Sequence, residues 1–505
     1  MNMDRLSNKW MATVASIWIQ CSSGSYTFGV YSPILKSSQG YDQSTLETVA
    51  VFRDIGSSAG VLAGVLYSAI TPSNNHSGFC GPWVVLLAGA IQNFLGHSMP
   101  FFNTANTVSG VQNFPEYSGT IVGIMKGCAG ISGAIIIQVY NTFYKGEPST
   151  FILMLALLPT FVSLGCMLLV RIYKANTSDD KKHLNGFSAI ALIIAGYLMI
   201  MIILENIFSL PSWARNFTFI LLLILLASPL GIAIKAQKED SKRFLKTFNL
   251  ESNDAAKDQA YHELPSGEGE VNAALDEKNL SDEEGMNLLQ AMCTVNFWLL
   301  FIAMICGMGS TQAVINNLSQ IGQSLNYTTV EVNNLVSLWS IWTCLGRVGS
   351  GYLSDYLLHT RGWTRPLLMA ITLATVIIGH IVIASGFPGN LYVGSILMGI
   401  CDGSQWSLMP TITSDIFGVR HMGTIFNTFG LGCPIGSYIF SVRVIGYIYD
   451  MQAGGEDHSC FGTRCFMISF FIMASLALLG FLFAIALFQR TKGFYMVRRL
   501  KHSLK

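Results

Sequence analysis

The chain has 505 residues, 51% of them hydrophobic and only 12% charged, about half the charged share of an ordinary soluble domain. That excludes an enzyme with an ordinary wetted surface, and 30 Lys+Arg against 29 Asp+Glu exclude a basic nucleic-acid binder. Residues 235–284 hold 20 of the 59 charges; the rest is apolar runs near the ~20 residues that cross a bilayer, so the expected fold class is an all-α polytopic membrane protein.

Basic Arg5 and Lys9 precede an apolar run from Trp10 to about Ser32. The run exceeds the 7–15 apolar residues of a signal peptide and lacks a small-residue cleavage site, so it is read as the first span. Further spans are expected at about 46–70, 119–142, 150–170, 187–204 and 217–234, then at 296–317, 333–353, 366–386, 390–412, 423–449 and 466–488.

Lys and Arg set the orientation. They cluster at Arg5/Lys9, Arg171 to Lys182, Lys235 to Lys246, Arg361/Arg365, Arg420 and Arg490 to Lys505. The expectation is a multi-pass protein with these segments and both termini in the cytosol. Plasma membrane and endomembrane both stay open. Lys235 to Lys246 is a basic edge suited to an anionic leaflet. Glu251 to Glu284 carries eleven acids against Lys257 and Lys278, too few apolar residues for a core, so disorder is expected there.

Two loops face the other side on this reading. One carries the glycosylation acceptor pattern Asn326-Tyr327-Thr328. The other carries Cys460 and Cys465, either an oxidised pair or two free thiols. Most other cysteines lie inside apolar runs, and neither a CxxC pair nor a Cys/His cluster with zinc spacing is present. No metal or cofactor is implied.

The stretch 83–111 breaks the parity of the first half. One crossing would put the basic segment Arg171 to Lys182 outside. Two crossings and a turn need more than ~40 residues, and 29 are available, interrupted by His97, Ser98, Met99 and Pro100. The simplest resolution is that about one span's length is absent near 95–101. A re-entrant or distorted pair of short segments is the alternative.

Gly346, Arg347, Gly349, Gly351, Leu353 and Asp355, then Arg361 and Arg365, end one span and start the next. With its G-x-L-x-D core this segment resembles the loop signature of the major facilitator superfamily, although its basic residues come later and more spread out. Glycines let helices approach closely, and Asp355 with the Arg361/Arg365 pair is expected to form a charge latch that favours one conformational state, with Arg347 part of it.

More of the chain, 10–490, resembles the plant nodulin-like, nuclear-fusion-defective-type branch of that superfamily. The carrying residues include Trp18-Ile19-Gln20, Arg53-Asp54-Ile55-Gly56, Phe102-Asn103-Thr104-Ala105-Asn106, Gly123 to Gly127, Gln405-Trp406-Ser407 and Ile425-Phe426-Asn427. The resemblance implies two six-helix bundles and two extra linking spans. The family has a further apolar stretch before its Phe-Asn-Thr segment, where this chain jumps from Gly96 to Phe102, leaving about 13 spans. The expected organisation is a bundle over 1–182, incomplete near 95–101; two extra spans over 183–234; a charged loop over 235–295; a second bundle over 296–490; and a basic tail over 491–505.

Charges inside hydrocarbon are costly and usually functional or paired. Arg53, Lys126, Arg347, Arg443, Asp54 and Asp402 fall inside spans. An Asp54–Lys126 pair across spans fits an anion or proton site, and equally a buried pair fixing helix packing. Asn103, Asn106, Gln138, Gln405 and Asn427 are further cavity candidates, each of which could instead bond a neighbouring helix. The expected function is secondary-active transport of a small solute by alternating access. The basic residues, with a distant similarity of the second half to oxalate/formate-type exchangers, lean toward an organic or inorganic anion. The expected partners are the bilayer and that solute. The rivals are a membrane sensor or scaffold that binds a protein partner through 251–284, and a nonfunctional splice form.

Overall fold

A computed structural model describes residues 8–24, 60–70, 81–93, 99–144, 148–173, 180–208, 211–258, 285–452 and 460–503, with isolated positions 49, 52 and 56. Among the described residues every regular element is helical, as the apolar runs require: hydrocarbon leaves no solvent for open backbone groups. The first half contributes α1 (Lys9–Cys21), α2 (Val61–Ile70), α3 (Pro82–Asn93), α4 (Met99–Asn113), α5 (Ser118–Phe143) and α6 (Pro148–Cys166). Two extra helices follow, α7 (Asp180–Ile207) and α8 (Ser212–Asp258). The second half opens with the short α9 (Leu288–Met292), then α10 (Val295–Ser324), α11 (Thr329–Arg361), α12 (Arg365–Ser385) and α13 (Asn390–Phe417). It ends with α14 (Met422–Gly430), α15 (Gly432–Ser437), a π-helical stretch Tyr438–Gly446, α16 (Tyr447–Gln452) and α17 (Arg464–Ser503).

Local chemistry sets several boundaries. Asn8 caps α1 by accepting from Trp10 N at 3.0 Å and Met11 N at 2.9 Å. Thr328 and Glu331 form a reciprocal capping box at the start of α11. Gly362, at φ 69°, ends α11 in the left-handed conformation, which releases the chain into α12 after three residues. The expected single span 423–449 is one helical stretch, Met422–Gln452, whose pattern changes at Leu431 and turns π-helical over Tyr438–Gly446; Gly436 within it lies against Gly309 and Ile305 of α10.

Two charged segments differ from expectation. The expected loop beginning at 235 is helical as far as Asp258, because α8 runs on without a break. The expected tail from 491 is the continuation of α17 to Ser503. Charge ends a membrane span, but it does not end a helix: Glu, Lys and Arg are good helix formers. Most of 251–284 lies outside the described residues.

Seven described helical stretches have the length and apolarity to cross a bilayer. α11 and α13 have the length, at 33 and 28 residues, but carry buried Arg347, Asp355, Asp402 and Asp415. α3 and α4 have 12 and 15 residues and pack against each other. Each falls short of the ~20 residues of a full span, and the link at 94–98 lies outside the described residues.

The extra helices are fastened to the first half. Lys9 pairs with Asp180 at 2.6 Å, and Trp10 Nε1 donates to Asp240 at 2.7 Å. Gln138 bonds Tyr197 at 2.8 Å and Asn141 bonds Glu205 at 2.9 Å. The halves meet chiefly where α5 packs on α11, with further contacts of α7 on α11, α2 and α4 on α14, and α5 on α13.

Candidate functional site

One end of the α5–α11 seam is a charge cluster. Asp355, buried on α11, accepts from Gly119 N at 3.0 Å, Thr120 N at 2.6 Å and Thr120 Oγ1 at 2.7 Å. The first two donors are open N–H groups of the first turn of α5, where the helix dipole favours an anion, and the third is a side-chain hydroxyl. Arg365, the first residue of α12, donates to Asp355 Oδ1 at 2.7 Å, to Ser118 Oγ at 3.0 Å and to Asp415 Oδ2. Tyr495 Oη of α17 donates to the same Asp415 oxygen at 2.8 Å. One guanidinium thus joins α5 of the first half to α11, α12, α13 and α17 of the second.

Of the residues expected in the latch, Asp355 and Arg365 are paired, and the rest of the cluster has a different membership. Arg361 is exposed, its guanidinium 6.0 Å over the Trp363 ring. Arg347 also lies elsewhere: it is eight residues, about 12 Å along the helix, from Asp355. Asp415, Tyr495, Ser118 and Thr120 join instead, at sequence separations no local motif reveals.

Above the latch the seam is close. A Cβ on Gly123 would lie 2.7 Å from Arg347 O, and one on Gly351 2.8 Å from Gly123 Cα. Gly346 backs onto the Ile400 backbone of α13. Arg347 Nη1 donates to Lys126 O at 2.8 Å, and both residues are buried. The Lys126 ammonium lies 5.5 Å from the Trp406 ring centroid and 5.2 Å from that of Phe426, on α13 and α14 of the other half. No carboxylate among the described residues pairs with it. Two rings at roughly 2 kcal/mol each do not offset a desolvation cost of several kcal/mol or more for a lone ammonium.

The amides divide. Asn427 Nδ2 donates to Thr104 Oγ1 at 2.7 Å, bridging α14 and α4. Asn106 is fully buried with neither amide atom partnered among the described residues. Asn103 accepts from Thr107 at 3.4 Å on its own helix. Gln405 is buried, with neither amide atom partnered among the described residues, and packs against Gly307 of α10 inside the second half. Gln138 is a correction: it faces Tyr197 of α7, because twelve residues turn a helix about 120° away from Lys126. Asp402 accepts from Thr311 at 3.1 Å, and Arg443 is exposed beside Tyr438. Arg53 and Asp54, with the expected Asp54–Lys126 pair, lie outside the described residues.

At the opposite end Cys460 and Cys465 are disulfide-bonded. Gly462 N donates to Ser324 O at 2.9 Å, which sets that loop beside the turn holding the exposed Asn326.

The model of the nodulin-like family matches residues 9–101 and 96–234, and that of the NFD4 C-terminal domain matches 277–497. The chain belongs to the nodulin-like, nuclear-fusion-defective-type family. The two stretches of nodulin-like match meet at 96–101, the point at which the sequence loses parity. Protein NUCLEAR FUSION DEFECTIVE 4 of Arabidopsis thaliana is 27% identical over 532 residues, covering 96% of this chain and 89% of that protein. Probable transporter MCH1 of Yarrowia lipolytica is 26% identical over 206 residues, 37% of this chain and 41% of that one. A structure of the major-facilitator proton:xylose symporter XylE is similar at TM-score 0.49 and 12% identity, covering 94% of this chain and 93% of that one. Within this nodulin-like chain, the rings facing Lys126 belong to two of the segments that carry the family resemblance, Gln405-Trp406-Ser407 and Ile425-Phe426-Asn427. That was the available signal for them.

Proposed function

We propose that the chain is a secondary-active transporter, not an enzyme, that carries a small anion by alternating access, with both termini cytosolic and about 13 spans. The observation behind this is Lys126: a buried cation on the seam between halves, walled by aromatic rings and lacking a carboxylate partner among the described residues. An anionic solute would supply the missing countercharge, and its arrival would change the energy of the seam itself. Arg347 and Asn106 stand as further contacts, and Arg365 with Asp355 and Asp415 as the gate. Relatives named as probable transporters support the reading. Disulfide and latch at opposite ends support the orientation. The test is uptake and counterflow by the full chain in proteoliposomes, with a panel of labelled organic and inorganic anions. Lys126→Ala should abolish accumulation of whichever anion is carried; unchanged uptake by that variant refutes the site.

The short α3 and α4 favour a second reading, a membrane sensor or scaffold from which about one span near 95–101 is missing. A reactive cysteine placed between Arg171 and Lys182 discriminates. Labelling from the cytosolic side keeps the transporter topology, whereas labelling from outside means an inverted first bundle. Deleting 251–284 should then abolish signalling in the scaffold and leave uptake intact in the transporter.

A further inference from the structure

We propose that a cleft beside the latch binds a phosphate-bearing anion and thereby holds the latch closed. The cleft is small and open on one side, about 150 Å³, below the size of a drug-sized site and suited to a compact headgroup-sized anion. Its walls come from three elements on both halves: Tyr117 before α5, Lys181 and Asn185 in the first turns of α7, and Tyr352, Tyr356 and His359 on the last turns of α11. Asp355 is at its edge, but that carboxylate is already engaged by Gly119, Thr120 and Arg365. The two threonine hydroxyls donate to Asp355 and to Tyr356 O, and the remaining polar lining is the Lys181 ammonium, the Asn185 amide, the His359 ring and three phenols, with no second carboxylate among the described residues.

Lys181 stands out in its own segment. Its neighbours Asp180, Lys182 and His183 are bound to Lys9 and Glu239. Lys181 is exposed and, among the described residues, has no such partner. The phenols of Tyr352 and Tyr356 stack at 6.5 Å and are exposed at the side of the bundle, as aromatic rings are at the polar margin of a bilayer. Because α7 belongs with the first half and α11 with the second, an anion bridging them is bound only while the halves are together at this end. A ligand that prefers one state shifts the population toward it.

The anion has two sources with one chemistry, a lipid headgroup or a free phosphate. The test uses the full chain in nanodiscs of phosphatidylcholine, with and without phosphatidic acid, and in plain phosphatidylcholine with added inorganic phosphate. Amide exchange is read at 117–122, 181–186 and 352–360. At a ligand level ten times Kd, exchange through latch opening should slow about tenfold. Slowing with phosphatidic acid assigns the headgroup, and slowing with phosphate alone assigns the soluble anion. In either case Lys181→Arg should keep the effect and Lys181→Ala should lose it. No slowing in either arm, or equal slowing in Lys181→Ala, overturns the proposal. The readout does not depend on transport, so it stands apart from the proposed function.

Discussion

Arg365 and Lys126 are both buried cations on the contact between the halves, one bonded to Ser118 of α5 and the other eight residues, about 12 Å, further along that helix, yet their surroundings are opposite. Arg365 has two carboxylates, a serine hydroxyl and the start of α5 around it. Lys126 has two aromatic rings and a neighbouring guanidinium whose contact is to its backbone. A cation surrounded by fixed anions is a structural fastener whose charge is spent. A cation walled by aromatic rings, with no carboxylate partner among the described residues, would on the proposed reading keep its charge available for an anion that arrives and leaves. On that reading the same interface separates holding from binding by counter-ion supply.

The largest effect that breaks the comparison is at the fastener. Arg365→Ala leaves Asp355 and Asp415 buried without a cation, which should cost about 3–5 kcal/mol in detergent unfolding and expose the latch end to thiol reagents. Neutralising all three, with Arg365→Met, Asp355→Asn and Asp415→Asn, should recover most of that stability while the latch end stays accessible. Failure to recover would mean that the cluster is not acting as a charge unit. At the other cation the signs reverse. Lys126→Met removes a charge that no carboxylate among the described residues compensates, so thermal stability should hold or rise, while uptake falls about 10–150-fold, the worth of a hydrogen bond to a charged group. A stability loss like that of Arg365→Ala would show that Lys126 is structural.

The seam between them is next. A Cβ on Gly123 meets the Arg347 carbonyl, and backbone cannot swing aside as a side chain can. Gly123→Val should cost about 1–3 kcal/mol by overpacking. It should also favour the state in which α5 and α11 have parted, read as faster labelling of a cysteine at the latch end. Gly349, with nothing near its Cβ position, is the control.

How much of this was legible follows from sequence distance. Helical spans, the two extra helices and the Asp355–Arg365 pair came from hydropathy and from one motif in which those two residues are ten apart. Assigning Arg361 and Arg347 to the latch failed for geometric reasons: one lies past the turn of the helix that Asp355 occupies, the other two turns before it. Asp415 and Tyr495 could not be found at all, because they reach Arg365 only through packing across 50 and 130 residues of chain. Gln138 could have been placed correctly, since its angle from Lys126 is simple helix arithmetic. The broken parity of 83–111 was legible as a problem, and α3 and α4 on either side of it are both shorter than a full span.

The smallest effect repeats the comparison with neutral groups. Asn427 and Asn106 are both buried amides near the seam, and their hydrogen bonding differs as the two cations' pairing does. Asn427 joins the halves through Thr104 at 2.7 Å and also bonds its own helix at Gly423 O. Asn106 has no partner for either amide atom among the described residues. Asn427→Ala should therefore cost about 1 kcal/mol and loosen the closed state slightly. Asn106→Ala removes a buried group that holds nothing, so stability should be unchanged or improved, because an unsatisfied amide is a cost to the fold. If the amide instead serves the carried solute, that variant raises KM with little change in maximal rate, the pattern of lost ground-state binding. A paired loss of stability in both variants would mean that the two amides share one structural network, and the division between holding and binding would then stop at the charged residues.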